Sequence, residues 1–227
     1  MKVSGGSERA KRNAGEYAAE LVEDGMVVGL GTGSTAAHAI RALGQAVDSG
    51  LDVQAIPTSF QSRELAREVG IPLVELDEGT PDLAIDGADQ VADGDLVKGG
   101  GAAHAREKYV DGAASRFVVV ADPSKVADRL DYPIPVAVLP GARTVVADDI
   151  RSLGGEPTLR VATQKDGPVV TDDGNLVLDC DFGAVEEPGD LAAELSALSG
   201  VVEHGLFVGM ADEVVVGTEN GVETRDC

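Results

Sequence analysis

An α/β fold is predicted by three features of the 227-residue chain. Short apolar runs alternate with helical patterns of ten or so residues, several of those runs are apolar throughout, and the rhythm changes after Pro133. Alternation of this kind means βαβ units and a parallel sheet. Runs such as Phe117-Val118-Val119-Val120-Ala121 suit a sheet covered on both faces. The change of rhythm marks a second, smaller unit.

Residues 13–24 place Ala14, Tyr17, Ala18, Leu21 and Val22 on one helical stripe, and Gly25 stops that helix. A strand over 26–30 runs into Gly31-Thr32-Gly33-Ser34-Thr35, a helix over 36–45 follows, and Gly50 closes the unit. A strand over 53–57 and a helix over 59–69, ended by Gly70, repeat the pattern. Residues 71–76 and 83–85 read as further strands. Beyond a glycine-rich loop come a helix over 102–115 and the strand 117–121.

After Pro133 the spacing gives a strand over 134–139, a helix over 144–153 and a strand over 158–162. Residues 169–171 and 176–178 flank the turn Asp172-Asp173-Gly174-Asn175 and form a hairpin. A helix over 190–198 and a strand over 201–203 complete an order close to a ferredoxin-like unit with one extra hairpin. Phe207 and Val214-Val215-Val216 are expected to return to the first sheet. The predicted architecture is a Rossmann-like parallel sheet domain over 1–131 and 205–227. A smaller ferredoxin-like α+β domain, 132–204, is inserted near the C-terminus.

Forty acidic residues face eighteen basic ones, for a net charge of −22. The acids are scattered (Glu16, Glu20, Asp148, Asp149, Glu186, Glu187) and so form a solvated surface rather than an interaction tail. That sign disfavours nucleic acid as a partner. Self-repulsion of this size is tolerated best in concentrated salt, where the Debye length shrinks to about 3 Å at 1 M. No apolar run reaches the roughly 18 to 20 residues of a membrane span, and Met1 to Asn13 lacks the apolar core of a secretory signal. Cys180 and Cys227 match no ligand spacing and are expected as free thiols in a reducing cytoplasm.

Four segments can carry chemistry. Gly29-Leu30-Gly31-Thr32-Gly33-Ser34-Thr35 sits where strand passes to helix, so its glycines and the helix N-terminus suit a phosphate or similar oxyanion. It is neither a dinucleotide fingerprint, which would have Gly at Ser34 and an acid after the strand 53–57, nor a P-loop, which would have Lys after Gly33. Asp86-Gly87-Ala88-Asp89 follows a strand and can serve as acid and base, bind sugar hydroxyls or hold a metal, though Asp-Gly is also ordinary turn chemistry. Lys98-Gly99-Gly100-Gly101 pairs a cation with three entropically costly glycines, as a loop closely wrapping a ligand would. Arg106, Glu107 and Lys108 follow, and by itself Glu107 reads as a surface ion pair. Asp122-Pro123-Ser124-Lys125 again follows an apolar strand. His38, His104 and His204 show no metal-ligand spacing.

Taken together, these segments, with residues 171–179 and 200–207, resemble type A ribose-5-phosphate isomerase. The resemblance runs in the family's order from about Glu8 to about Val222, and with the acidic composition it points to a halophilic archaeon as the source. It implies interconversion of D-ribose 5-phosphate and D-ribulose 5-phosphate through an enediolate, in the non-oxidative pentose phosphate pathway, with no metal or organic cofactor. It implies Glu107 as the base between C1 and C2, Asp86 and Asp89 beside the sugar oxygens, and Lys98 beside the developing oxyanion. Substrate binding would fall to Lys11, Thr32, Gly33, Ser34, Thr35, Gly87, Ala88, Gly99, Gly100, Gly101 and Lys125, in a cytoplasmic homodimer or homotetramer. Two positions depart from the family's pattern: Gln90, where Glu is usual, and His104, where an apolar residue is common. The alternative is a non-catalytic sugar-phosphate-binding sensor on the same fold, and the retained Glu107, Lys98 and aspartates favour the enzyme.

Overall fold

The structure, a computed structural model, describes residues 6–227. In chain order it contains α1 (Glu8–Ala19), β1 (Val27–Leu30), α2 (Ser34–Asp48), β2 (Gln54–Pro57), α3 (Phe60–Glu68) and β3 (Leu83–Gly87). Next come β4 (Gln90–Ala92), β5 (Asp95–Val97), α4 (His104–Ala113) and β6 (Arg116–Ala121). The remainder is β7 (Ile134–Val138), α5 (Arg143–Ser152), β8 (Glu156–Leu159), β9 (Leu176–Asp181), α6 (Pro188–Ala197), β10 (Val201–His204), β11 (Leu206–Phe207), β12 (Glu213–Thr218) and β13 (Gly221–Asp226). The chain divides into two compact units. Of the described residues, one holds 6–88 with Arg106–Val126 and Gly209–Cys227, and the other holds Asp89–Ala105 and Ala127–Val208. This partition groups residues 89–105, 127–131 and 205–208 with the span 132–204.

The first unit is built on a six-stranded sheet of order β13-β12-β6-β3-β1-β2. Four of its five ladders are parallel, and only β12 with β13 is antiparallel. Val28, Leu30, Leu83, Ile85, Val118, Val120 and Val215 form a continuous core with Ala14, Ala18, Ile40 and Leu43 of α1 and α2. Strands buried on both faces need no alternation, which is why these runs are apolar throughout. Strand order reverses between β1 and β3, each of which starts a crossover in the opposite direction. Such a reversal opens a crevice at the carboxyl ends of the two strands. In register Leu30 faces Ile85, so Gly31 and Asp86 are the first residues beyond that edge.

The second unit contains a four-stranded sheet of order β10-β7-β9-β8, all antiparallel. With α5 and α6 it runs β-α-β-β-α-β, the ferredoxin-like arrangement. Its core is separate: Ile134, Val136, Val138, Val146, Ile150, Leu178 and Leu195 pack together. A three-stranded sheet, β11-β5-β4, belongs to the same unit. Among the described residues no helix is long and apolar enough to cross a membrane.

Several elements differ from expectation. The first helix runs from Glu8 to Ala19 rather than over 13–24, because Ser7 caps it, accepting from the Arg9 and Ala10 amides. Its polar first turns carry no apolar stripe to announce it. Residues 71–76 make one bridge, Leu73 beside Ala55, and not a strand. Pro72 offers only its carbonyl there, accepting from the Ala55 amide. The predicted hairpin 169–171/176–178 is likewise reduced to one bridge, Val170 with Leu176, beside the longer β9. Phe207 pairs with Leu96 in the three-stranded sheet instead of returning to the parallel sheet, whereas Val214–Val216 do return, alongside β6. Strands β4, β5 and β13 escaped the sequence reading because they are short or polar.

Candidate active site

In the first unit, the loop after β1 folds over the end of β3. Gly31 donates to the Ile85 carbonyl (2.9 Å), and Thr32 donates its amide to Asp86 Oδ1 at 2.9 Å. Gly87 donates to the same oxygen at 2.6 Å. Asp86 is fully buried, so these donors replace the water its carboxylate lost. The approach is so close that a Cβ on Gly31 would fall 2.0 Å from Asp86 Oδ1. Only glycine fits.

The next residues start α2. Gly33 (φ +119°) is its N-cap, and Ser34 and Thr35 form its first turn. The first amides of a helix lack intrahelical acceptors and carry the positive end of its dipole, which suits an oxyanion. Thr32 donates its hydroxyl to Ser59 Oγ (2.7 Å) and lies 3.1 Å from the Thr58 hydroxyl. Ser59 in turn caps α3 through a reciprocal pair of bonds with Ser62. This hydroxyl chain was not foreseen. Its signal was present, since Thr58-Ser59 directly follows the second strand of the sheet.

Glu107 lies in the first turn of α4 and is only 4 % exposed. Glu107 is therefore not a surface residue, and a carboxylate is almost never fully buried unless it is paired. Beside it in sequence, Arg106 stacks its guanidinium over Phe60, 5.9 Å from the ring centroid. Lys11, on α1, is buried and bonds Glu8 at 3.1 Å. That hydrogen bond and charge hold the exposed Glu8 carboxyl below the usual range. Lys125 ends a short 3₁₀ turn, Pro123–Lys125, capped by Asp122, whose Oδ1 accepts from the Ser124 amide.

In the second unit, Lys98 follows β5 and is 2 % exposed, with Nζ 5.3 Å from the centroid of the Phe207 ring. The ring's face is an electron-rich surface for the buried ammonium. Gly99 adopts φ +104°, and a side chain there would strike the His104 ring. Gly100 donates its amide to Asp89 Oδ2 at 2.6 Å. Gly101 is exposed. Ala102, at φ +61°, is a non-glycine residue in the left-handed region, at a cost of about 1 kcal/mol or more. Ordering three glycines adds about 1–2 kcal/mol each in lost backbone freedom.

Arg160 was missed by the sequence reading. It forms a two-pronged pair with Asp179 and bonds the carbonyls of Gly99 (2.8 Å) and Gly100 (3.2 Å). Tyr132 completes the cluster. Burial, then the Asp89 charge, push its phenol up to about 12, with Arg160 pulling the other way. Gln90, which stands where Glu is usual in the family's pattern, accepts from the Asp131 and Tyr132 amides and serves as a connector between strand and loop. His104 is fully buried.

Comparison with known proteins is consistent throughout the chain. Residues 54–221 match the family model described as Ribose 5-phosphate isomerase A (phosphoriboisomerase A). A ribose-5-phosphate isomerase A of Natronomonas pharaonis is 68% identical over 99% of this chain and 100% of its own length. That of Haloarcula marismortui is 68% identical over 97% of each chain. A structure of ribose 5-phosphate isomerase A from Methanocaldococcus jannaschii superposes with a TM-score of 0.94 at 45% identity, over 97% of this chain and 99% of that one. A D-ribose-5-phosphate isomerase in complex with phospho-erythronic acid superposes with a TM-score of 0.95 at 39% identity, over the same shares.

Proposed function

This chain belongs to the ribose 5-phosphate isomerase A family and is an aldose–ketose isomerase of ribose 5-phosphate, and we propose that Glu107 is the base that moves its proton. Glu107 removes the proton from C2 of the open-chain aldose. The C–H electron pair becomes the C1–C2 double bond, and the carbonyl oxygen on C1 takes up the negative charge. The same carboxyl returns the proton to C1, while the hydroxyl proton passes from O2 to O1. A positioned carboxylate base contributes about 10² to 10⁴ in rate.

The developing oxyanion needs donors fixed in advance, each worth about 10² to 10³. Lys98 and the amides of Gly99 and Gly101 supply them, while the Gly100 amide holds Asp89. Asp86 and Asp89, with the Gly87-Ala88 backbone between them, handle ring opening and the proton on the oxygens. Thr32, Gly33, Ser34 and Thr35 take the phosphate at the start of α2, assisted by Lys11 and Lys125. The observation that carries this reading is the burial of Glu107, Asp86 and Lys98 together with the costly glycine loop. A relative that binds phospho-erythronic acid, a phosphorylated acid, fits the same distribution of charge.

The test is turnover of ribose 5-phosphate in D₂O. Wild type incorporates deuterium at the product carbon, while Glu107→Gln loses about 10² or more in kcat with KM changed little. Wild-type kcat in that variant removes Glu107 from the mechanism. We also propose a homodimer or homotetramer working in a salt-rich cytoplasm, which equilibrium sedimentation in high salt would check.

A further inference from the structure

We propose that Arg160 is a positioning residue for the reaction, holding the Lys98–Gly101 loop in its working shape through the carbonyls of Gly99 and Gly100. The inference rests on the reading of that loop as the oxyanion-stabilising element. Arg160 stands just beyond β8, and its backbone is fixed on both sides. Its amide donates to the Val177 carbonyl, and its carbonyl accepts from Val169 (2.9 Å each). Nε and Nη2 grip Asp179 of β9. This leaves Nη1 aimed at the loop, where it spans two consecutive carbonyls at 2.8 and 3.2 Å.

The side chain of Arg160 is 10% exposed and that of Asp179 is 21% exposed, so water competes little for these bonds. Planarity matters: a rigid guanidinium can hold a carboxylate with one edge and two carbonyls with the other, and a lysine ammonium cannot. The effect reaches the loop's other side. With both carbonyls turned to Arg160, the Gly100 amide points at Asp89 Oδ2, 2.6 Å away. Peptide planarity couples the two directions, since fixing the Gly99 carbonyl fixes the Gly100 N–H of the same peptide unit. One side chain therefore orients Asp89 and limits three glycines that would otherwise sample many conformations.

The test compares Arg160→Lys, Arg160→Ala, Asp179→Asn and Glu107→Gln by kcat and KM per folded molecule, with melting curves alongside. Arg160→Ala is expected to lose about 10- to 100-fold in kcat, the cost of a misplaced catalytic group, with KM within about threefold. Arg160→Lys is expected to recover little of it. Added methylguanidinium is expected to restore part of the lost kcat in Arg160→Ala and to do nothing for Glu107→Gln. A kcat within about twofold of wild type in Arg160→Ala, or a loss matched by a fall in folded fraction, overturns the inference. If Arg160→Ala does not fold, Arg160→Lys and Asp179→Asn decide by the same criterion. Inactive Glu107→Gln with active Arg160 variants refutes only this inference. Active Glu107→Gln refutes the proposed mechanism itself.

Discussion

Replacing Gly31 by alanine probes the contact on which Asp86 depends. The added methyl would lie 2.0 Å from Asp86 Oδ1, 2.1 Å from Cγ and 2.5 Å from Cα. Rotating the carboxylate cannot relieve the last of these, so the backbone of β1 or β3 must shift by about 1 Å. Overpacking of that kind costs about 1–3 kcal/mol. The Thr32 amide bond to Asp86, a bond to a charged group worth about 1.5–3 kcal/mol, is lengthened or lost as well. The two sum to about 2.5–6 kcal/mol, and even the lower end lowers Tm by about 5–10 °C for a chain of this size. A loss at that lower end leaves most molecules folded at 25 °C, since typical stabilities are about 5–15 kcal/mol. The displacement of Asp86 adds a second effect, about 10²-fold in kcat for a misplacement near 1 Å. Gly79→Ala is the control, because a Cβ there meets Val27 alone, Cγ2 at 3.7 Å and Cγ1 at 3.9 Å, both ordinary contacts. Steady-state kinetics and melting curves on both variants check the reasoning. A Gly31→Ala protein matching Gly79→Ala in kcat and Tm would refute it.

Other outcomes follow from burial and charge. The Cys180 thiol is buried and pushed up to about 12 by that burial, with Asp179 adding to it, whereas Cys227 is exposed. A thiol reagent at pH 8 should label one cysteine per native chain and two after denaturation. Rapid labelling of two in the native protein contradicts the packing of β9. With a net charge of −22, Tm should rise as KCl increases from about 0.1 M to 1 M, because the Debye length falls from about 10 to 3 Å. A flat profile rules out charge repulsion as a significant term.

The parallel sheet was legible because its strands are buried on both faces and leave unbroken apolar runs such as Phe117–Ala121. The ferredoxin-like unit was legible from its order of helices and strands. Strands β4 and β5 were not, since three residues carry too little periodicity, and a single ladder bridge at Leu73 looks in sequence like a full strand. The four segments stood out through unusual residues: glycines between a strand and a helix, a triple glycine with a lysine, and aspartates just past a strand.

What the sequence determined alone, then, is local: which strands alternate with which helices, where glycine is required, and which acids and lysines sit beside those glycines. Tertiary structure decided everything that depends on burial and on partners distant in the chain. It turned Glu107 from an apparent surface ion pair into a buried carboxylate. It set Asp86 against Thr32, 54 residues away, and Arg160 against Gly99, 61 residues away. An arginine one residue past the end of a strand carries no mark of its purpose. Its meaning comes from the direction of four N–H bonds, and only folding fixes direction.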